Sequence, residues 1–344
     1  MLVDTSKKSG LLGSRTTFKP MTYPWAFEGY KTQQHAHWIP EEVPLHADVS
    51  DYERRLNEKQ KNLIVQIFRF FTQGDVDVGN AYTSVYIPAF GGHPEVRMML
   101  TAIGSIEAVH VEAYSLLLET LGLPETEYQA FAEIDEMSAK HNFYESEAFK
   151  GQDLESMAKA MAVFSAFTEG LHLFSSFAIL LNFPRNNLLK GMGQIITWSV
   201  RDESLHVELM LKLFRTFIDE NPQIWTEKLR QELYDIARHM VELEDNFIDR
   251  AFELGGTDGL EAEDVKAYVR WLADLRLGQL GLEAIYGTEG EPCPLEWLPA
   301  MLNAVEHTNF FENRATEYSK AAMSGSWASV WSTVDDLNPI AEAS

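Results

Sequence analysis

Two short strings constrain this chain more than anything else in it: Glu107-Ala-Val-His110 and Glu203-Ser-Leu-His206, each set within a long run of apolar residues at helical spacing. A carboxylate and an imidazole three residues apart share one face of a helix. Two such helices, joined by one more carboxylate from each of two others, form a six-ligand cage for a pair of metal ions inside a helical bundle. Asp75 and Glu169 are available as the two further carboxylates.

One Glu-x-x-His string is weak evidence, since with ten histidines about one is expected by chance. Three occur, at 107/110, 169/172 and 203/206, all in apolar helical segments. Position carries more weight than number. Glu169 lies in AVFSAFTEGLHLFSSFAILL, where an ionised carboxylate is costly unless a cation or strong donors compensate it. An arginine or backbone donor is the plain alternative to metal. In FRFFTQGDVDVGN, Asp75 and Asp77 point to different helical faces, and one of them should face the core. His172 is either an extra nitrogen ligand or, as we expect, a core histidine.

Carboxylate oxygens with one imidazole per metal suit iron or manganese, whereas zinc takes fewer ligands in tetrahedral geometry. Four carboxylates balance the charge of two divalent ions. A redox metal in turn implies oxygen chemistry. We expect a di-iron centre, with manganese–iron and dimanganese centres also admitted by these ligands.

Helical patterns run over about 51–80, 95–121, 153–181, 186–218, 225–254 and 262–286. Breaks fall at Pro88 and Gly91-Gly92, Gly122 to Pro124, Pro184 to Asn186, Pro222 and Gly255-Gly256. No stretch alternates long enough for a sheet. The pattern predicts an all-α, ferritin-like helical bundle with additional helices over residues 51–318. Residues 1–50, with Pro20, Pro24, Pro40 and Pro44, read as an irregular arm packed on that core, and 319–344 as a flexible tail.

A hydrophobic fraction of 45% with 23% charged residues in 344 residues is ordinary for a globular protein. The formal net charge of -24, with no basic cluster, argues against a nucleic-acid surface. One cysteine, Cys293, excludes an internal disulfide and any thiolate cluster. The N-terminus lacks a signal-peptide pattern, so a cytoplasmic location is expected. Met157 to Phe183 is long enough to span a bilayer, but Lys159, Glu169 and His172 interrupt it, and a buried bundle helix explains it better than a membrane span.

Arranged this way, roughly residues 20 to 320 resemble the small, radical-generating beta subunit of class I ribonucleotide reductase. SIEAVHVEAYSLLLETLG is similar to the family's second ligand helix, FTEGLHLFSSFA to its third, and ITWSVRDESLHVE to its fourth, with the R-D-E-x-x-H string intact. The resemblance selects Asp75 over Asp77. It implies that Asp75, Glu107 and His110 hold one metal and Glu169, Glu203 and His206 the other, some carboxylates bridging. It further implies a stable radical on Tyr114, four residues after His110, and relay of the hole through Asp202 and Trp38, the latter in HAHWIPEEVPLHADVSDY. The partner so implied is the large catalytic subunit, reached through the C-terminal tail, where ribonucleotides are reduced to deoxyribonucleotides. A homodimer is implied as well.

Three departures accompany the likeness. No tyrosine follows Tyr318, so Tyr318, Trp327 or Trp331 would have to serve where the family has a tail tyrosine. Leu173 and Ser199 stand where larger apolar side chains often line the radical pocket. His172 is the third. The competing readings are a dimetal oxygenase, N-oxygenase or desaturase on the same scaffold, and a non-catalytic iron store or helical scaffold. Storage subunits are about half this size, which speaks against the last.

Overall fold

The structure, a computed structural model, describes residues 10–146, 149 and 151–302. The chain divides into two units, Met1–Glu296 and Trp297–Ser344. Of the second, 297–302 is described and is helical. The expected tail beyond 318 and its candidate relay residues, Tyr318, Trp327 and Trp331, lie outside the described residues.

The first unit is built from α1 Pro24–His35, α2 His46–Arg54, α3 Glu58–Ala81, α4 Ile87–Phe90, α5 Pro94–Thr120, α6 Glu127–Ala130, α7 Asp135–Tyr144, α8 Leu154–Met161, α9 Phe174–Arg185, α10 Lys190–Glu220, α11 Glu227–Ala251 and α12 Ala262–Leu280. No strand occurs among the described residues, and one isolated bridge joins Thr257 to Leu260. The fold is all-α, as the periodicity predicts. α3 packs along α5, and α10 packs along α9 and the segment preceding it.

α8 and α9 belong to one helical rod, Leu154–Arg185, whose most apolar window is 94% buried. Its middle, Ala162–Leu173, winds as a π-helix. The Thr168 hydroxyl donates to the Val163 carbonyl five residues back, at 2.9 Å. Wider turns of this kind occur often at functional sites because they re-aim side chains, and this segment carries Glu169 and His172.

The observed boundaries differ from the expected ones for identifiable reasons. The expected 51–80 helix is two, because Asn57 opens α3 with a reciprocal cap: its side-chain Oδ1 accepts from Gln60 N–H at 3.1 Å, and Gln60 Oε1 accepts from Asn57 N–H at 2.9 Å. The arm expected to be irregular holds α1, whose first residue is Pro24, a position that suits proline. α10 starts at Lys190 rather than near 186, after left-handed Asn187 and Leu189. Asp48 of α2 accepts from Gly191 and Met192 N–H at 3.0 and 2.6 Å, which caps that end of α10 from a distant element. α12 stops at Leu280 because Gly281, at φ +89°, turns the chain out of the helix.

Candidate metal centre

α3 supplies Asp75, α5 supplies Glu107 and His110, the π-helical segment supplies Glu169, and α10 supplies Glu203 and His206. All six are at most 1% exposed. They fall into two overlapping groups, Asp75–Glu107–His110 and Glu107–Glu169–Glu203–His206, whose potential ligand atoms lie within 4.8 Å of one another. Glu107 belongs to both. His110 Nδ1 lies 3.1 Å from Glu203 Oε1 and 3.5 Å from Glu107 Oε2, while His206 Nδ1 lies 2.9 Å from Glu107 Oε1 and 3.4 Å from Glu203 Oε2.

These short approaches are not hydrogen bonds. Both oxygens of Asp75, Glu107 and Glu203, Oε2 of Glu169, and Nδ1 of both histidines are buried without a hydrogen-bond partner. Buried polar atoms are nearly always paired, and this many orphans facing one another are a set that bound cations could satisfy. Electrostatics says the same. Burial, then the charge of Glu107, pushes Asp75 well above the ordinary carboxylate range; burial, then Glu203, does so to Glu169. Burial opposes a charged imidazole, yet Asp202 and the cage carboxylates raise His110 well above its usual value, and Glu203 and Glu107 do the same for His206. These four groups hold protons more tightly than usual, whereas the two imidazoles bring Glu107 down to about 2 against burial; two divalent ions could supply the positive charge that protons otherwise provide.

The outward nitrogens of both histidines are held. His110 Nε2 lies 3.3 Å from Asp202 Oδ2, and His206 Nε2 lies 3.1 Å from Gln33 Oε1. Such contacts fix the tautomer so that Nδ1 faces the cage with its lone pair. Asp202 Oδ2 also accepts from the Trp38 indole at 2.7 Å. Its other oxygen accepts from Arg201 at 3.1 Å and from Gln33 at 3.4 Å. Opposite, the Tyr82 hydroxyl donates to Glu169 Oε1 at 2.8 Å.

The family described as ribonucleotide reductase, small chain, matches residues 15–294. The chain belongs to this family. It is similar to a probable ribonucleoside-diphosphate reductase small subunit of Invertebrate iridescent virus 6, with 42% identity over 93% of this chain and 98% of that one. The beta subunit of ribonucleoside-diphosphate reductase from Chlamydia pneumoniae is 30% identical over 88% of this chain and 89% of its own. Among solved structures, the R2 subunit from Clostridium botulinum superposes with a TM-score of 0.78 at 24% identity, covering 86% of this chain and 94% of that one. A dimanganese(II) NrdF from Streptococcus sanguinis superposes at 0.66 with 21% identity, covering 82% and 98%. These structural likenesses bear on the fold, which is the ferritin-like one of such subunits.

In this small chain Tyr114 is fully buried, with its hydroxyl unpaired. Its ring lies 6.3 Å from that of His110 and packs edge-on against Phe71 at 4.6 Å, with Phe68 at 6.0 Å. Both phenylalanines belong to α3. Burial, then the charge of Asp75, raises the phenol well above its usual pKa. Asp77 faces away from the cage and pairs with His141 at 2.7 Å and Gln73 at 2.7 Å. His172 is no part of the cage either: both ring nitrogens are engaged elsewhere, with Tyr144 and with the Met240 carbonyl.

Sequence reasoning missed Gln33, which touches both Asp202 and His206, and Tyr82. Tyr82 had a readable signal, since it stands two helical turns after Asp75 on the same face. Gln33 has none, because α1 lies in a proline-rich stretch whose pattern does not announce a helix.

Proposed function

We propose that the six converging side chains hold a dinuclear metal centre and that Tyr114 carries the radical it generates. The observation that carries this reading is a set of orphaned carboxylate and imidazole atoms beside a buried phenol with no partner of its own. Iron in both positions is the expected occupant. That the NrdF of similar fold is a dimanganese(II) protein, and that carboxylates suit manganese, supports manganese as an alternative occupant.

A redox metal pair, when bound, supplies oxygen activation and a strong one-electron oxidant. The chain does the rest. Phe68 and Phe71 keep water from the phenol. Asp75 is the carboxylate whose charge acts most strongly on Tyr114, and we assign it the phenol's proton. The indole of Trp38, the carboxylate of Asp202 and the imidazole of His110 form a hydrogen-bonded line leading from the cage, and we assign them the relay of the hole. Its destination is a large catalytic subunit that reduces ribonucleoside diphosphates and is contacted through the tail beyond 318. A homodimer and a cytoplasmic location belong to the same reading.

The test is to load the protein anaerobically with ferrous iron, admit oxygen, and record the electron-spin spectrum minutes later. A persistent tyrosyl signal is expected, lost in Tyr114→Phe while metal content stays at about two per chain. A persistent signal that survives that substitution refutes the assignment.

A further inference from the structure

Tyr144 and His172 form a second tyrosine site of a different kind. The Tyr144 hydroxyl lies 2.5 Å from His172 Nδ1, and His172 Nε2 lies 2.7 Å from the Met240 carbonyl. A carbonyl can only accept, so Nε2 carries the ring proton, Nδ1 is bare, and the phenol donates to it. Tyr144 and His172 are each 1% exposed. The contrast with Tyr114 is direct: that phenol has no partner, whereas this one has a base in contact.

The neighbourhood completes the pair. Glu244 Oε2 is 3.6 Å from His172 Nε2 and is held by Lys140 at 2.6 Å. Burial, then the charge of Lys140, keeps His172 well below its usual pKa, so the imidazole is neutral and free to accept. Two elements carry both this site and residues of the centre. His172 follows Glu169 by three residues on one segment. On α3, Phe71 packs on Tyr114 at 4.6 Å while its neighbour Phe70 packs on Tyr144 at 6.3 Å.

We propose that Tyr144 with His172 is a second proton-coupled redox site, able to take the oxidising equivalent when Tyr114 does not. In that step Tyr144 would give up one electron to the one-electron oxidant that a bound metal pair would supply. The O–H bond breaks and the proton moves to His172 Nδ1, leaving a neutral tyrosyl radical and an imidazolium facing Glu244. A phenol radical cation is a far stronger acid than imidazolium, so the transfer runs downhill even with His172 made less basic. On re-reduction the proton returns along the same hydrogen bond, which makes the site reversible.

This inference rests on the dimetal reading, and the test separates the two. Tyr114→Phe protein is loaded with ferrous iron, mixed with oxygen and freeze-quenched over milliseconds to seconds for electron-spin spectroscopy. A transient tyrosyl signal is expected, narrowed by ring-deuterated tyrosine and abolished when Tyr144→Phe is added. His172→Gln, which keeps an acceptor but removes the base, should lower its yield by about tenfold or more without changing the melting temperature. Tyr144→Phe alone should leave the persistent Tyr114 signal intact. Absence of the transient signal, its survival in the double variant, or full yield with His172→Gln overturns the proposal. The dimetal reading fails separately, through a persistent signal indifferent to Tyr114→Phe.

Discussion

The indole of Trp38 donates to Asp202 Oδ2 at 2.7 Å, and that same oxygen lies 3.3 Å from His110 Nε2. One carboxylate oxygen therefore links an aromatic ring near the arm to an imidazole of the cage. Burial disfavours the charge on Asp202, but His110 and then Arg201 outweigh it and bring its pKa down to about 2, so it is ionised throughout the physiological range. Asp202→Asn keeps the shape and removes the charge. Turnover with the large subunit should fall by roughly 10–100-fold. Trp38→Phe should lower turnover comparably while metal content and the Tyr114 signal persist. Undiminished turnover in Trp38→Phe removes the indole from the route.

The cage should cost stability in the metal-free protein. Glu169 is fully buried, Oε2 has no partner, and neighbouring carboxylates raise its pKa further after burial has done so. Glu169→Leu removes that conflict at similar volume. The metal-free variant should melt higher than the metal-free parent, by an amount on the order of 1 kcal/mol or more, and bind fewer ions. Calorimetry with and without metal reads both, and a lower metal-free melting temperature would contradict the account.

Tyr82 holds the other oxygen of Glu169 at 2.8 Å. Tyr82→Phe leaves that oxygen free to swing, so metal affinity on the Glu169 side should weaken by about tenfold or more. Competitive titration of metal into the apo protein measures it. Unchanged affinity would make the bond incidental.

The cage was legible in the sequence because its chemistry is local: Glu107 with His110 and Glu203 with His206 repeat one helical spacing, and Glu169 stands out as a charge in an apolar rod. The partners of the outward imidazole nitrogens were less so. Asp202 was named only through a resemblance, and Gln33 not at all, because no periodicity links α1 to α10. The π-helical winding of Ala162–Leu173 was equally hidden, since it depends on packing and on Thr168 bonding five residues back. Proline misled where Pro24 starts a helix instead of breaking one. The place of His172 was settled by Tyr144, from α7, a helix that the periodicity did not reveal.

The loop after α12 should be acid-sensitive. Asp274 accepts from the N–H groups of Ile285, Tyr286 and Thr288 at 2.7, 2.9 and 2.9 Å. Burial alone would raise its pKa, but these donors outweigh it and hold the carboxyl below the ordinary 3.8. A carboxyl whose folded pKa is depressed gives stability that is complete above the unfolded value and lost as pH falls through the folded one. Protection of those three amides should therefore hold down to about pH 4 and decline below it. Hydrogen exchange read by mass spectrometry would show this, and acid-independent protection would exclude the role given to Asp274.

Lys140 and Glu244 offer the sharpest test of packing. Both are fully buried, their charged groups meet at 2.6 Å, and the ammonium lies 4.2 Å from the Phe70 ring and 4.3 Å from that of Phe247. Burial lowers the pKa of Lys140 and raises that of Glu244, so each is pressed towards its neutral form and depends on the other to stay charged. Lys140→Met leaves Glu244 with the Ser175 hydroxyl and no cation. Breaking such a pair typically costs about 3–5 kcal/mol, whereas replacing both members with apolar residues of similar volume is often neutral. Urea denaturation should accordingly show Lys140→Met strongly destabilised and Lys140→Met with Glu244→Leu restored to near the parent. If the double variant is as weak as the single, the pair contributes attraction beyond its desolvation and the two residues are not merely compensating each other.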